Sequence, residues 1–162
     1  MPKALVCYYS HSHNTEKMAV RIAEVLNEKG LPADLKKAED VRPAELLDYD
    51  CLIFGSPTYY GTMAWPLKKL IDESVKHHGK LRGKVGGAFT SSGNLAGGNE
   101  TTVLDILKAL LIHGMIVQGD HQGDHQGDHY GPVAVGRPDE RSLKSCEKYA
   151  AKLAVLTKKL FG

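Results

Sequence analysis

Apolar residues in this chain keep two alternating rhythms. Short unbroken runs at residues 4–9 (ALVCYY), 51–54 (CLIF), 85–90 (VGGAFT) and 115–117 (MIV) have the pattern of strands buried on both faces. Between them apolar residues recur at helical spacing. Residues 15–29 put Met18, Ile22, Val25 and Leu26 on one stripe and stop at Gly30. Leu67, Leu70, Ile71 and Val75 form a second stripe, and Val103, Ile106, Leu107, Leu110 and Leu111 a third, ending at His113-Gly114. Residues 33–37 fit a shorter edge strand, residues 43–47 a weak helix, and residues 139–160 a last helix. After residue 117 a polar segment interrupts, and residues 133–135 (VAV) resume the strand. Strands alternating with amphipathic helices predict the α/β class: a three-layer fold with a parallel sheet covered on both faces. No linker divides the chain, so residues 1–162 are expected to form one domain.

Composition narrows the function. The chain has 162 residues, enough for one proper core. A formal charge of +2 without a basic, aromatic-interleaved run gives no reason to expect a nucleic-acid partner. No stretch approaches the roughly 20 apolar residues of a membrane span, and MPKALVCYYS has no signal-peptide core. The cytoplasm is the expected compartment. Cys7, Cys51 and Cys146 form no C-x-x-C pair, and the first two sit in apolar runs as small core residues.

In open α/β sheets ligands bind outside the carboxyl ends of the strands, so the segments after each strand carry the chemistry. The first is Ser10-His11-Ser12-His13-Asn14-Thr15, rich in hydroxyls and leading into a helix. Helix-start N–H groups and hydroxyls there suit an anion, although N-capping by Ser12 or Asn14 explains the same residues. It has no Lys or Arg, and neither G-x-x-x-x-G-K-[ST] nor G-x-G-x-x-G occurs in the chain. The third strand leads to Pro57-Thr58-Tyr59-Tyr60-Gly61, with two aromatics able to stack on a planar ring. The fourth leads to Ser91-Ser92-Gly93-Asn94-Leu95-Ala96-Gly97-Gly98, whose backbone suits polar ring edges. The fifth leads to QGDHQGDHQGDH, residues 118–129. His121, His125 and His129 with their aspartates make a metal site conceivable, but a glycine every fourth residue opposes a helix and offers little outer support. No metal is assigned.

YYSHSHNTEKMA resembles the phosphate loop of flavodoxin-like proteins, whose pattern is Ser/Thr-x-Thr-Gly-Asn-Thr. GSPTYYGTM and FTSSGNLAGGNETT resemble the two ring-binding loops of the WrbA-type NAD(P)H:quinone oxidoreductases, and LLIHGM and DHYGP continue the likeness to nearly the end of the chain. The resemblance implies a flavodoxin-like, five-stranded parallel sheet of order 2-1-3-4-5. It implies FMN, with the phosphate at Ser10, His11, Ser12, His13, Asn14 and Thr15. Pro57, Thr58, Tyr59, Tyr60 and Gly61 would line one side of the flavin ring. Ser91, Ser92, Gly93, Asn94, Gly97 and Gly98 would line the other, with Tyr130 nearby. NAD(P)H and a quinone-like acceptor are the implied partners, and a homo-oligomer, dimer or tetramer, the implied assembly. Chemistry belongs to the flavin, which leaves Tyr60 and His113 as the only candidate catalytic side chains. The repeat is then expected at the flavin edge as a cover or a subunit contact.

Departures from the pattern are specific. His13 stands where the phosphate loop usually has Gly, which requires a left-handed backbone. Ile112 replaces the first of two histidines before Gly-Met, a tryptophan ahead of the fourth strand has no counterpart at 75–79, and an insertion before the third strand is missing. The alternative function is a flavodoxin-type electron carrier without a small-molecule substrate, though such carriers tend to be strongly acidic. Lys80, Arg82 and Lys84 precede the fourth strand and are expected on a solvated face at the opposite edge.

Overall fold

The buried N-terminal run forms β1 (Ala4–Tyr8), followed by α1 (Asn14–Glu28), β2 (Ala33–Lys37), β3 (Cys51–Tyr59), β4 (Thr62–Met63) and α2 (Trp65–Glu73). Then come β5 (Val85–Ser92), α3 (Asn99–Ile112), β6 (Ile116–Val117), β7 (Val133–Val135) and α4 (Glu140–Phe161). These elements are those of a computed structural model that describes residues 1–121 and 127–162. The parallel sheet runs β2-β1-β3-β5, and β6 and β7 share the place beyond β5. That is the expected 2-1-3-4-5 order with its fifth strand in two pieces. The short β4 folds back antiparallel on the end of β3.

Period-two alternation divides the core between the faces. Ala4, Val6 and Tyr8 pack with Ile53 and Phe89 against Met18, Ile22 and Leu26 of α1 and Tyr149 and Leu153 of α4. Leu5 and Cys7 point the other way, joining Leu52 and Phe54 against Leu67 and Leu70 of α2 and Val103, Ile106 and Leu110 of α3. Each large side chain so buried contributes about 1.5–3 kcal/mol. All three cysteines are buried and free. Burial pushes the thiols of Cys51 and Cys146 up to about 12 and that of Cys7 higher still, so none is a nucleophile at neutral pH.

Four local expectations are corrected. β3 runs on through the expected loop to Tyr59 because β4 pairs with its end. Val75 is exposed, since α2 ends at Glu73 and the tighter turn at Ser74–His77 rotates it off the stripe. Leu111 is also exposed, at the last turn of α3. Lys84 is half-buried, not on a fully solvated face: its ammonium donates to the carbonyls of Leu47 (3.0 Å) and Tyr49 (2.5 Å), and burial lowers its pKa.

The repeat leaves the sheet lower than its position after a strand implies. β6 pairs with Val85 and Gly86, the entering end of β5, so residue 118 departs far from the carboxyl edge. Only β7, level with Thr90 to Ser92, regains that edge. The first and third copies close on each other: the Asp120 N–H donates to the His129 carbonyl at 2.8 Å, and the His129 ring meets the Asp120 carbonyl at 2.7 Å. Both aspartates dock on α4, Asp120 on Lys152 and Asp128 on Arg141 and Ser145. His125, one of the three histidines considered as metal ligands, lies outside the described residues. Among the described residues no three metal-ligating side chains gather closely enough to hold an ion, and no helix is long and apolar enough to cross a membrane.

Candidate functional site

Three loops meet at the carboxyl edge, and each contains one non-glycine residue with a left-handed backbone. His13 (φ 65°) caps the start of α1, Tyr60 (φ 50°) tips the turn between β3 and β4, and Ala96 (φ 51°) bends the loop after β5. Such conformations cost on the order of 1 kcal/mol or more and concentrate at ligand clamps. His13 thus meets the backbone demand that glycine usually answers, with its ring turned outward.

The first loop leaves hydrogen-bond donors open. No side chain caps α1, so its leading N–H groups remain open at the positive end of the helix dipole. The Ser10 hydroxyl is buried and has no hydrogen-bond partner, a donor left over for a ligand. Ser12 and Asn14 line a depression of about 440 Å³ at the start of α1. The Thr15 hydroxyl lies 2.8 Å from that of Ser91, tying the first loop to the third. The Glu16 carboxylate is engaged by His13 (2.5 Å) and the Tyr8 hydroxyl (2.7 Å), which lower its pKa.

The second and third loops are bolted together. The Thr101 hydroxyl donates to the Gly61 carbonyl at 2.6 Å, and Thr58 and Thr90 share a hydrogen bond of 3.1 Å. Gly98 (φ 94°) sits so close that an added Cβ would lie 2.7 Å from Gly61 Cα. Ser56, beneath, accepts the Ala64 N–H and holds the base of the turn. Tyr60 is fully exposed and Tyr59 partly so. Tyr9 meets Tyr59 edge to face at 6.4 Å. Ser92 and Asn94 are linked at the start of the third loop (3.0 Å), while Gly93 and Gly97 are exposed or nearly so. A second cavity, about 490 Å³, lies behind that loop, walled by Leu95, Ala96, Gly98, Tyr130, Val133 and Arg141. Tyr130 therefore stands with the third loop, at the end of the repeat.

His113 is not brought to this edge. The 14 residues of α3 carry it about 20 Å back along the sheet, where its Nε2 lies 2.8 Å from the Ser74 hydroxyl. Burial, with His78 beside it, lowers its pKa. Within one chain it is a packed helix-end residue, as Ser74 and its burial require.

The sequence profile of the flavodoxin family matches residues 6–114. The chain belongs to that family. Among relatives of this flavodoxin-family protein, the NAD(P)H dehydrogenase (quinone) of Sinorhizobium fredii is 40% identical over 141 aligned residues, covering 74% of this chain and 71% of the relative. A protein of Aquifex aeolicus named flavodoxin is 35% identical, covering 95% and 86%. The solved WrbA-like flavodoxin of Agrobacterium tumefaciens superposes with a TM-score of 0.82 at 27% identity over 99% of both chains. One residue at this edge has no signal in the loop motifs: Arg137, which lines the depression at the first loop from the turn after β7. Arg137 nevertheless lies just beyond a strand end, that of β7, the same class of position that marks the other loops.

Proposed function

We propose that this protein is an FMN-dependent NAD(P)H:quinone oxidoreductase. The observation that carries the cofactor is the buried, unpartnered Ser10 hydroxyl at the open start of α1. Ser10 and Ser12 with the α1 N–H groups hold the phosphate, supported by Asn14. Pro57, Thr58, Tyr59, Tyr60 and Gly61 line one side of the ring, and Ser91, Ser92, Gly93, Asn94, Gly97 and Gly98 the other. FMN, when bound, supplies hydride acceptance from a nicotinamide and two-electron delivery to a quinone. The chain's own part is positioning: the Thr15–Ser91 and Thr101–Gly61 bonds fix the three loops relative to one another. The exposed Tyr60 is available to either substrate in turn. One domain acting as a cytoplasmic homo-oligomer completes the reading, with exposed Trp65 and Ile112 as the side chains that assembly would cover.

Ser10→Ala tests the cofactor assignment. Removing a hydroxyl that no protein group uses leaves the thermal midpoint of the flavin-free protein unchanged. It lowers FMN affinity roughly tenfold, the worth of one hydrogen bond to a charged group. Unchanged affinity by flavin fluorescence titration would count against this cradle. The Aquifex relative's name favours a second reading, an electron carrier, which the absence of reduction by either nicotinamide would bring forward.

A further inference from the structure

We infer that Arg137 is the cation that reads the ligand's phosphate, making this site selective for a phosphorylated flavin over its uncharged parent. The inference rests on the flavin reading above and extends it to a residue outside the three loops. Those loops supply hydroxyls and N–H groups but no fixed positive charge. Arg137 lines the same 440 Å³ depression as Ser12, His13, Asn14, Glu16 and Lys17.

Its backbone is held in place from two sides. The Gly136 N–H donates to the Ser92 carbonyl at 2.7 Å, and Gly136 adopts φ 67°, turning the chain over the end of β5. The Lys17 ammonium donates to the Pro138 carbonyl at 3.4 Å, fastening the same turn to α1. Of the other charges that line the depression, Glu16 is a carboxylate held by Tyr8 and His13, and Lys17 is an ammonium with one donor on the Pro138 carbonyl. Arg137 is exposed and takes part in no ion pair among the described residues. A guanidinium at the rim, with five donors in a planar fork, matches a phosphate dianion bidentately. Ser12 and the uncapped start of α1 line the same depression and would supply the remaining donors.

The test compares FMN with riboflavin, which shares the ring and lacks the phosphate. In fluorescence titrations of the flavin-free protein, Arg137→Ala should weaken FMN roughly tenfold and leave riboflavin affinity unchanged. It should also flatten the salt dependence of FMN binding, because a rim charge is screened within about 10 Å at 0.1 M salt. Arg137→Lys should recover part of the loss. Equal weakening of both flavins would overturn the inference, because it would mean that Arg137 only orders the turn. So would FMN binding unaltered by Arg137→Ala, or wild-type protein that binds riboflavin as tightly as FMN. Wild-type protein that binds neither flavin would instead remove the flavin reading itself. A thermal melt of the flavin-free variant checks that the exposed substitution leaves the fold intact.

Discussion

Gly55→Ala is expected to be among the most damaging single-methyl changes in the chain. Gly55 lies in the central strand β3, and a Cβ built there would fall 2.0 Å from Cζ of Phe89 and 2.3 Å from its Cε2. Phe89 is completely buried, in the cluster that joins the sheet to α1 and α4. The ring cannot retreat without displacing Met18, Tyr149 or their neighbours, and overpacking of this kind costs about 3 kcal/mol. For a chain of this size that lowers the thermal midpoint by roughly 6–12 °C. Phe89→Leu removes the atoms that collide, so the double variant should be more stable than the sum of the single losses predicts. Strict additivity of the two changes would contradict this packing.

Much of this architecture is visible in the chain's apolar rhythm, and particular residues show why the rest is not. The continuous runs at β1 and β3 name themselves because both faces are buried. The stripe of α1 and the stop at Gly30 are equally plain. Periodicity does not reveal that β3 continues through Pro57 to Tyr59, because that extension depends on pairing with Thr62 and Met63. Nor does it reveal how high the repeat leaves the sheet, since register is a property of β5 and β6 together. The ligand loops are legible because their composition is unusual and each lies after a strand. The inner wiring is less so: that Thr15 is spent on Ser91 while Ser10 is left unpaired depends on contacts 76 residues apart in the chain. Lys84 reads as a surface charge until the carbonyls of Leu47 and Tyr49 fold over it.

Gly98→Ala should strike the site itself with little effect on the rest of the fold. The added methyl would sit 2.7 Å from Gly61 Cα and 3.3 Å from Thr58 Cγ2, and the backbone φ of 94° is one that L side chains rarely adopt. Two backbones must therefore separate at the point where the second and third loops touch. The Thr101–Gly61 hydrogen bond, 2.6 Å long, lies in the path of that shift. Strain and misalignment together cost about 1–3 kcal/mol, most of it taken from ring binding because both loops would line the ring. FMN affinity should fall roughly tenfold to a hundredfold, and riboflavin affinity should fall with it, in contrast to Arg137→Ala. Titration of both flavins checks the outcome, and wild-type affinities in Gly98→Ala would contradict the assignment of these loops to the ring.

The proposed activity is tested most directly by mixing FMN-loaded protein with NADH or NADPH without oxygen and monitoring the visible flavin band. Rapid bleaching by one nicotinamide, and recovery of the band on adding benzoquinone, is the expected result; steady-state turnover should then show the parallel lines of a ping-pong reaction. A flavin that stays oxidised with both nicotinamides, yet is reduced by a strong chemical reductant, would contradict the oxidoreductase assignment and leave an electron carrier.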